Sequence, residues 1–273
     1  MTSAEPDGGP TDRYTHGHHE SVLRSHRWRT AENSAAFLLP LLRDGMSLLD
    51  VGCGVGTITV DLASWLPNGS VVGIDLPRDL IAGLQTEHGA GNLRFEQGDV
   101  YALAFGDNTF DVVYAHQVLQ HLSDPVAALH EMRRVLKPGG LLAVRDSDYG
   151  GFVWSPPDPT LDEWMHAYHL VTRRNGAEAD AGRLLHQWVH RAGFTDLAVS
   201  SSTWTFQSVE DRQWWGSTWA ERAQHSEFAR QAVEYGICST DDLRRLAGAF
   251  ERWAADPDGL FVLLHCEVLG RKG

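Results

Sequence analysis

Short apolar runs alternate with longer amphipathic stretches along the first half of the chain. Leu48, Leu49 and Val51 read as a buried strand, and Ile58 to Leu66 as the helix that follows it. Asn68-Gly69 turns the chain into a second strand, Ser70-Val71-Val72-Gly73-Ile74-Asp75. Leu93 to Glu96 gives a third, shorter strand and Phe110 to Ala115 a fourth. A helix is predicted next, with Ser123 as N-cap, Pro125 in the first turn, Leu136-Lys137 near the end and Gly139-Gly140 stopping it. Leu141 to Val144 is the fifth strand. The pattern and the length of 273 residues suit one α/β domain with insertions.

The flanking regions read differently. Residues 1–13 are polar and rich in Pro and Gly, a tail expected to be disordered. Residues 14–46 carry Val22-Leu23, Ala35 to Leu39 and Leu41-Leu42, which predict amphipathic helix. The remaining domain, 47–273, has cap insertions at about 148–179 and 207–259. Asp146 to Pro159 reads as an active-site loop and Leu161 to Arg174 as a helix. Asp180 to Ala192 is a helix with the stripe Leu184, Leu185, Trp188 and Val189, closed by Gly193. Phe194 to Phe206 and Leu260 to Leu269 read as the last two strands. The interval between them includes a helix at Thr240 to Ala254 and is too long for a simple loop. It reads as a lid over a substrate or as a dimer surface.

Gly52, Gly54 and Gly56 lie between the first strand and its helix. Glycines are wanted there when a ligand must approach the backbone closely. A dinucleotide loop would carry a glycine at position 57, where this chain has Thr57, and no Gly-Lys-Ser/Thr ending marks a phosphate loop. Asp75 ends the second strand 19 residues past Gly56, where a carboxylate can take both ribose hydroxyls. Asp99 stands after the third strand, where it could accept from an adenine amino group.

The run LLDVGCGVGT, VVGID, QGDV, FDVVYAHQVLQHL and LKPGG, in that order, resembles class I S-adenosylmethionine-dependent methyltransferases. It is most similar to the branch named for ubiquinone and menaquinone biosynthesis and its natural-product relatives. The likeness is tight over residues 35–147 and looser outside. It implies a doubly wound, seven-stranded, mostly parallel sheet with the last strand antiparallel, topped by helical lid insertions. It also implies S-adenosyl-L-methionine as cofactor, held by Asp50, Gly52, Cys53, Gly54, Gly56, Thr57, Asp75, Leu76, Asp99, Val100, His116 and Gln117. Leu76 and Val100 would flank the adenine, and Asp50 would orient the loop or meet the methionine ammonium. The N-terminal segment would fold over the cofactor.

Methyl transfer from a sulfonium needs alignment and dryness, and a base only when the acceptor must lose a proton. Tyr14, His18, His19 and His121 are the catalytic candidates, the first three as a lid over the sulfonium, where π faces attract a cation. His121 reads equally well as a histidine satisfied by loop backbone. His16, His18 and His19 are too closely spaced to form a good tetrahedral set alone, so no metal is expected. Trp28, Asp146, Trp154 and Trp215 are substrate-binding candidates, although most tryptophans end in cores.

A formal charge of −13 argues against nucleic acid. No apolar run approaches a membrane span and the start does not resemble a signal peptide. Three cysteines without metal spacing suit a reducing cytoplasm. A small, aromatic or otherwise apolar metabolite is the expected partner, with a homodimer left open. The rival readings are a quinone C-methyltransferase, a module that binds the cofactor without turnover, and a nicotinamide-dependent oxidoreductase, which Thr57 and Gly98-Asp99 disfavour.

Overall fold

The computed structural model describes residues 12–17 and 19–273. The chain begins with α1 (Glu20–Arg27) and α2 (Ala31–Ser34), then runs β1 (Ser47–Val51), α3 (Thr57–Trp65), β2 (Ser70–Asp75), α4 (Arg78–His88) and β3 (Leu93–Gln97). It continues through β4 (Phe110–His116), α5 (Pro125–Val135), β5 (Leu136–Ser147), β6 (Val153–Ser155), α6 (Pro159–Arg174), α7 (Ala181–Arg191) and β7 (Thr195–Phe206). α8 (Val209–His225), α9 (Glu227–Glu234), α10 (Thr240–Ala255) and β8 (Leu260–Arg271) complete it.

The strand order is β3-β2-β1-β4-β5-β8, with β7 on the far side of β8. β1 to β5 are mutually parallel, and β8 runs antiparallel to both β5 and β7. The sheet therefore has eight strands where seven are predicted. The additional one, β6, pairs with the start of β8 beyond the point where β5 leaves it.

Both faces of the sheet are covered, which is why the inner strands are apolar at successive positions. Leu48, Val71 and Val112 face α3 and α4 through Leu62, Ile81 and Leu84. Their neighbours Leu49, Val72 and Val113 point the other way, toward Leu129 and Met132 of α5 and Leu185 and Val189 of α7. A third core lies among the inserted helices α6, α8, α9 and α10. Trp164, Trp219, Phe228, Phe250 and Phe261 are all buried there.

Three local expectations need correction. Asp124, not Ser123, caps α5, its carboxylate accepting from the Ala127 N–H at 2.9 Å. That helix ends at Val135, and Leu136-Lys137 open β5 instead of closing α5. Asp12 and Arg13, assigned to the tail, are tied down: Asp12 accepts from the Ser123 N–H, and Arg13 pairs with Glu234 at 2.9 Å. The rest of that tail lies outside the described residues. Among the described residues no helix is long and apolar enough to cross a membrane.

Candidate active site

All three glycines of the β1–α3 bend have left-handed backbone, with φ of +72°, +53° and +79°. Such a conformation costs an L side chain ~1–2 kcal/mol. The N–H groups of Gly52 and Cys53 both donate to the Ile74 carbonyl, at 2.8 and 2.9 Å, and so tie the bend to β2. A Cβ on Gly52 would stand 2.4 Å from a Val118 methyl, whereas Gly54 meets nothing nearer than His26 Nδ1 at 3.9 Å. The space beside Gly54 belongs to a cavity of about 450 Å³ beyond the carboxyl ends of β1, β2 and β4. That is where ligands bind in open α/β sheets.

A nucleoside fits this end. Asp75 at the tip of β2 accepts from the N–H groups of Gly54 (2.8 Å) and Leu76 (2.7 Å). Each carboxylate oxygen has a second lone-pair direction for a ribose hydroxyl. Asp99 accepts from the Tyr101 N–H at 2.9 Å and sits exposed at the cavity edge between Gly98 and Val100. Asp50 is buried in β1 and takes the Thr59 hydroxyl at 2.6 Å; burial pushes its pKa up to about 7. Burial also raises that of the Cys53 thiol. Asp50, Gly52, Cys53, Gly54, Thr57, Asp75, Leu76, Asp99, Val100, His116 and Gln117 all line the cavity. Gly56 does not. Its left-handed turn begins α3, and a Cβ there would press on Leu84 and Phe95 in the core.

Asp75→Ala is expected to weaken S-adenosylhomocysteine binding by roughly 1.5–3 kcal/mol, the range for a charged hydrogen-bond partner. Titration calorimetry reads this directly, and an unchanged Kd would remove Asp75 from the ribose site.

Across the cavity from Asp75 stand the aromatic residues of the N-terminal segment. Tyr14 meets His121 edge-on at 4.8 Å, and His16 lies 5.7 Å from His121. His16 Nε2 is 2.9 Å from the Tyr168 hydroxyl and 3.2 Å from that of Tyr149. Burial, then the charge of Arg222, holds the His16 pKa well below its ordinary value. Burial, with Arg29, lowers that of His121 to about 3. His116 is likewise depressed by burial and by Arg145, whose guanidinium lies 3.5 Å from its Nδ1. Burial pushes the Tyr14 phenol up to about 12. The Thr57 hydroxyl donates to the His26 carbonyl at 3.4 Å, linking α1 to the glycine bend.

A second, inner chamber of about 30 Å³ shares His16, His26, Arg29 and Gln117 with the large cavity. Trp28, Trp204, Phe206, Trp214 and Trp215 form its apolar wall. Gln117, in left-handed backbone at φ +54° just past β4, is the partition. It accepts from Arg29 at 2.6 Å, donates to Ser147 at 2.8 Å and lies 2.9 Å from His265.

The structure thus brings Tyr14 and His121 to the cavity, and Trp28 and Trp215 to the inner chamber. Three other assignments need correction. His19 lines neither space: its ring caps α1, accepting from the Ser21 N–H. Asp146 is wholly buried beneath the turn after β4, where it accepts from the Gln120 N–H at 3.1 Å and burial raises its pKa to about 8. It positions the turn that carries His121 and lines neither space. Trp154 stacks on Phe261 at 5.6 Å and meets Trp164 edge-on, as part of the helical core. His18 lies outside the described residues. Arg29, Arg222, Tyr149 and Tyr101 also line these two spaces, and no pattern in the sequence gave a signal for them.

Comparisons with known proteins agree with this geometry. Residues 42–193 match a family model described as a methyltransferase domain. An uncharacterized methyltransferase of Schizosaccharomyces pombe is 33% identical over 96% of this chain and 98% of its own. The probable methyltransferase ltbC of Aspergillus luteorubrus is 32% identical over 97% and 99%. Among solved structures, a Haemonchus contortus phosphoethanolamine N-methyltransferase in complex with S-adenosylhomocysteine shares the fold at a TM-score of 0.51 and 19% identity, over 86% of this chain and 52% of that one. With its glycine bend, paired aspartates and near full-length relatives, this chain belongs to the methyltransferase family, and its cofactor is S-adenosylmethionine.

Proposed function

We propose that the enzyme methylates a small acceptor with an aromatic or apolar body, seated where the large cavity meets the inner chamber. The observation that carries this reading is the tryptophan-walled chamber joined to the cofactor cavity through His16, His26, Arg29 and Gln117. Bound S-adenosylmethionine supplies the activated methyl and its leaving group. In this reading Asp75 and Asp99 hold the adenosyl end at β2 and β3 and the reacting end lies near β4 and β5, beside Gln117 and Ser147, an orientation that the order β3-β2-β1-β4-β5 supports. There the rings of Tyr14, His16 and His121 close the cavity against water and offer π faces to a positive group. Alignment of this kind supplies up to ~7–11 kcal/mol in ideal cases.

Proton abstraction is a lesser part of the reading. A useful base has a pKa near the working pH. His121 titrates near 3 and His16 well below its ordinary value, so both favour the neutral state too strongly. Helices α1 and α8, which Arg24 links through Thr218 and Glu221, serve as the lid.

The test is transfer of labelled methyl from S-adenosylmethionine to a panel of small aromatic and aliphatic acceptors. Trp28 is partly exposed on the chamber wall, so Trp28→Ala is expected to raise the acceptor KM about tenfold, or ~1.4 kcal/mol. Affinity for S-adenosylhomocysteine should stay unchanged. An unaltered KM would take the acceptor out of this chamber, and cofactor binding without label transfer to any acceptor would favour a non-catalytic role.

A further inference from the structure

We infer that the inner chamber receives an anionic oxygen group of the acceptor, of carboxylate size, between the guanidinium groups of Arg29 and Arg222. The inference rests on the methyl-transfer reading above and narrows its substrate class.

No carboxylate lines the chamber, although the whole chain carries a formal charge of −13. Two arginines do line it. Arg222 is almost fully buried. Its guanidinium donates to the Ser25 hydroxyl at 2.8 Å and the Ser21 carbonyl at 3.1 Å, and it lies 4.7 Å from the Trp219 ring. Arg29 donates to Gln117 at 2.6 Å and lies 5.7 Å from the Trp204 ring. Neither forms an ion pair among the described residues, and the Nε of each is buried without a hydrogen-bond partner.

Buried charges are ordinarily paired, because desolvating them is costly. The neighbouring Arg145 obeys that rule: it pairs with Glu267 at 3.3 Å and donates to Ser202. Arg29 and Arg222 face the same low-dielectric space without such a partner. Burial, together with the charges of Arg222 and Arg145, depresses the Arg29 pKa to about 10, so an arriving anion relieves repulsion already present. The nearby histidines cannot supply that relief, because their neutral forms carry no charge. Size agrees as well. A cavity needs roughly 10–15 Å³ to take one water, so about 30 Å³ takes two water-sized atoms, as the oxygens of a carboxylate are, but not a ring. The apolar body then lies at the mouth of the chamber, where it meets the large cavity beside Gln117.

Arg29 touches both spaces, whereas Arg222 lines only the inner one. This separates an acceptor anion from the methionine carboxylate of the cofactor itself. The experiment is calorimetric titration of the full chain, loaded with S-adenosylhomocysteine, using benzoate and its neutral isostere benzamide. Benzoate is expected to bind at least about tenfold more tightly. Arg222→Gln should abolish that preference and Arg222→Lys should retain most of it, with S-adenosylhomocysteine affinity unchanged in both. Equal affinity for the two probes, or binding of neither, overturns the inference. So does an Arg222→Gln variant that loses S-adenosylhomocysteine affinity in step, since the chamber would then serve the cofactor. The wild-type comparison decides the matter even if the glutamine variant fails to fold. Failure of wild-type protein to bind S-adenosylhomocysteine would instead sink the methyl-transfer reading.

Discussion

Gly54→Ala will weaken S-adenosylhomocysteine binding by about 1–3 kcal/mol, or roughly 5–150-fold, the range for forcing an extra methyl into a filled site. Gly52→Ala will instead destabilise the ligand-free protein by ~2–5 kcal/mol, from left-handed strain plus overpacking. Both positions have positive φ, so both lose ~1–2 kcal/mol of stability to backbone strain. They differ in what the new carbon meets. At Gly52 it overlaps Val118 at 2.4 Å, with no ligand needed for the clash. At Gly54 the nearest atom is 3.9 Å away across the cavity, so the empty protein accommodates the methyl and the cofactor does not. Urea unfolding of the ligand-free variants and calorimetry with S-adenosylhomocysteine separate the two effects. A Gly54→Ala protein with wild-type affinity would mean that the ligand never approaches that backbone.

The cofactor half was legible because its determinants are local. The bend from Gly52 to Gly56, Asp75 at a strand end and Asp99 after the next strand each occupy a short stretch whose spacing carries the chemistry. Even there, Gly56 turned out to serve the α3 core. The start of β5 was misread for a similar local reason. Lys137-Pro138-Gly139-Gly140 looks like a helix terminator, but it bulges out between two paired points of β4 and β5, Phe110 with Leu136 and Val112 with Leu141. Pro and Gly signal a break in regularity without saying which element is broken.

The acceptor half was far less legible. Its residues come from distant elements: His16 before α1, Gln117 after β4, Tyr149 after β5 and Arg222 on α8. No periodicity links them. The histidine segment shows how fine the distinction is. Gly17, at φ +66°, packs so closely on Glu227 that a Cβ would lie 2.4 Å from its Cγ, and the chain turns there. His16 consequently points into the cavity while His19, on the other side of the turn, caps a helix. Tryptophan spacing was equally mute, since Trp154 and Trp164 join the helical core while Trp214 and Trp215 reach the chamber wall.

Concentrating so many desolvated titratable groups in one site should give the ligand-free protein a stability maximum near pH 6.5. His16, His116, His121 and His265 all have folded pKa values below the ordinary 6.5, with burial the leading cause in each. Their stabilisation is complete above that value and is lost as pH falls, because the unfolded chain takes up protons that the folded one refuses. Asp50 and Asp146 act with the opposite sign. Their folded values are raised from 3.8 to about 7 and about 8, so their contribution is full at low pH and lost as pH rises through those values. Between pH ~4.5 and ~6.5 four histidines oppose two aspartates, and stability should climb by at most ~2.7 kcal/mol per pH unit. Above ~6.5 only the aspartates still act, so stability should turn downward until pH ~8. Asp146→Asn keeps an oxygen for the Gln120 N–H and removes one ionisation, so it should flatten the alkaline limb and, with one opposing aspartate fewer, steepen the acid limb by up to ~1.4 kcal/mol per pH unit. Denaturant midpoints across pH 4.5–8.5, roughly the window these shifts define, measure both limbs. Stability that failed to fall from neutrality to pH ~8 would mean that water reaches Asp50 and Asp146 in solution, and that the turn carrying His121 is not dry.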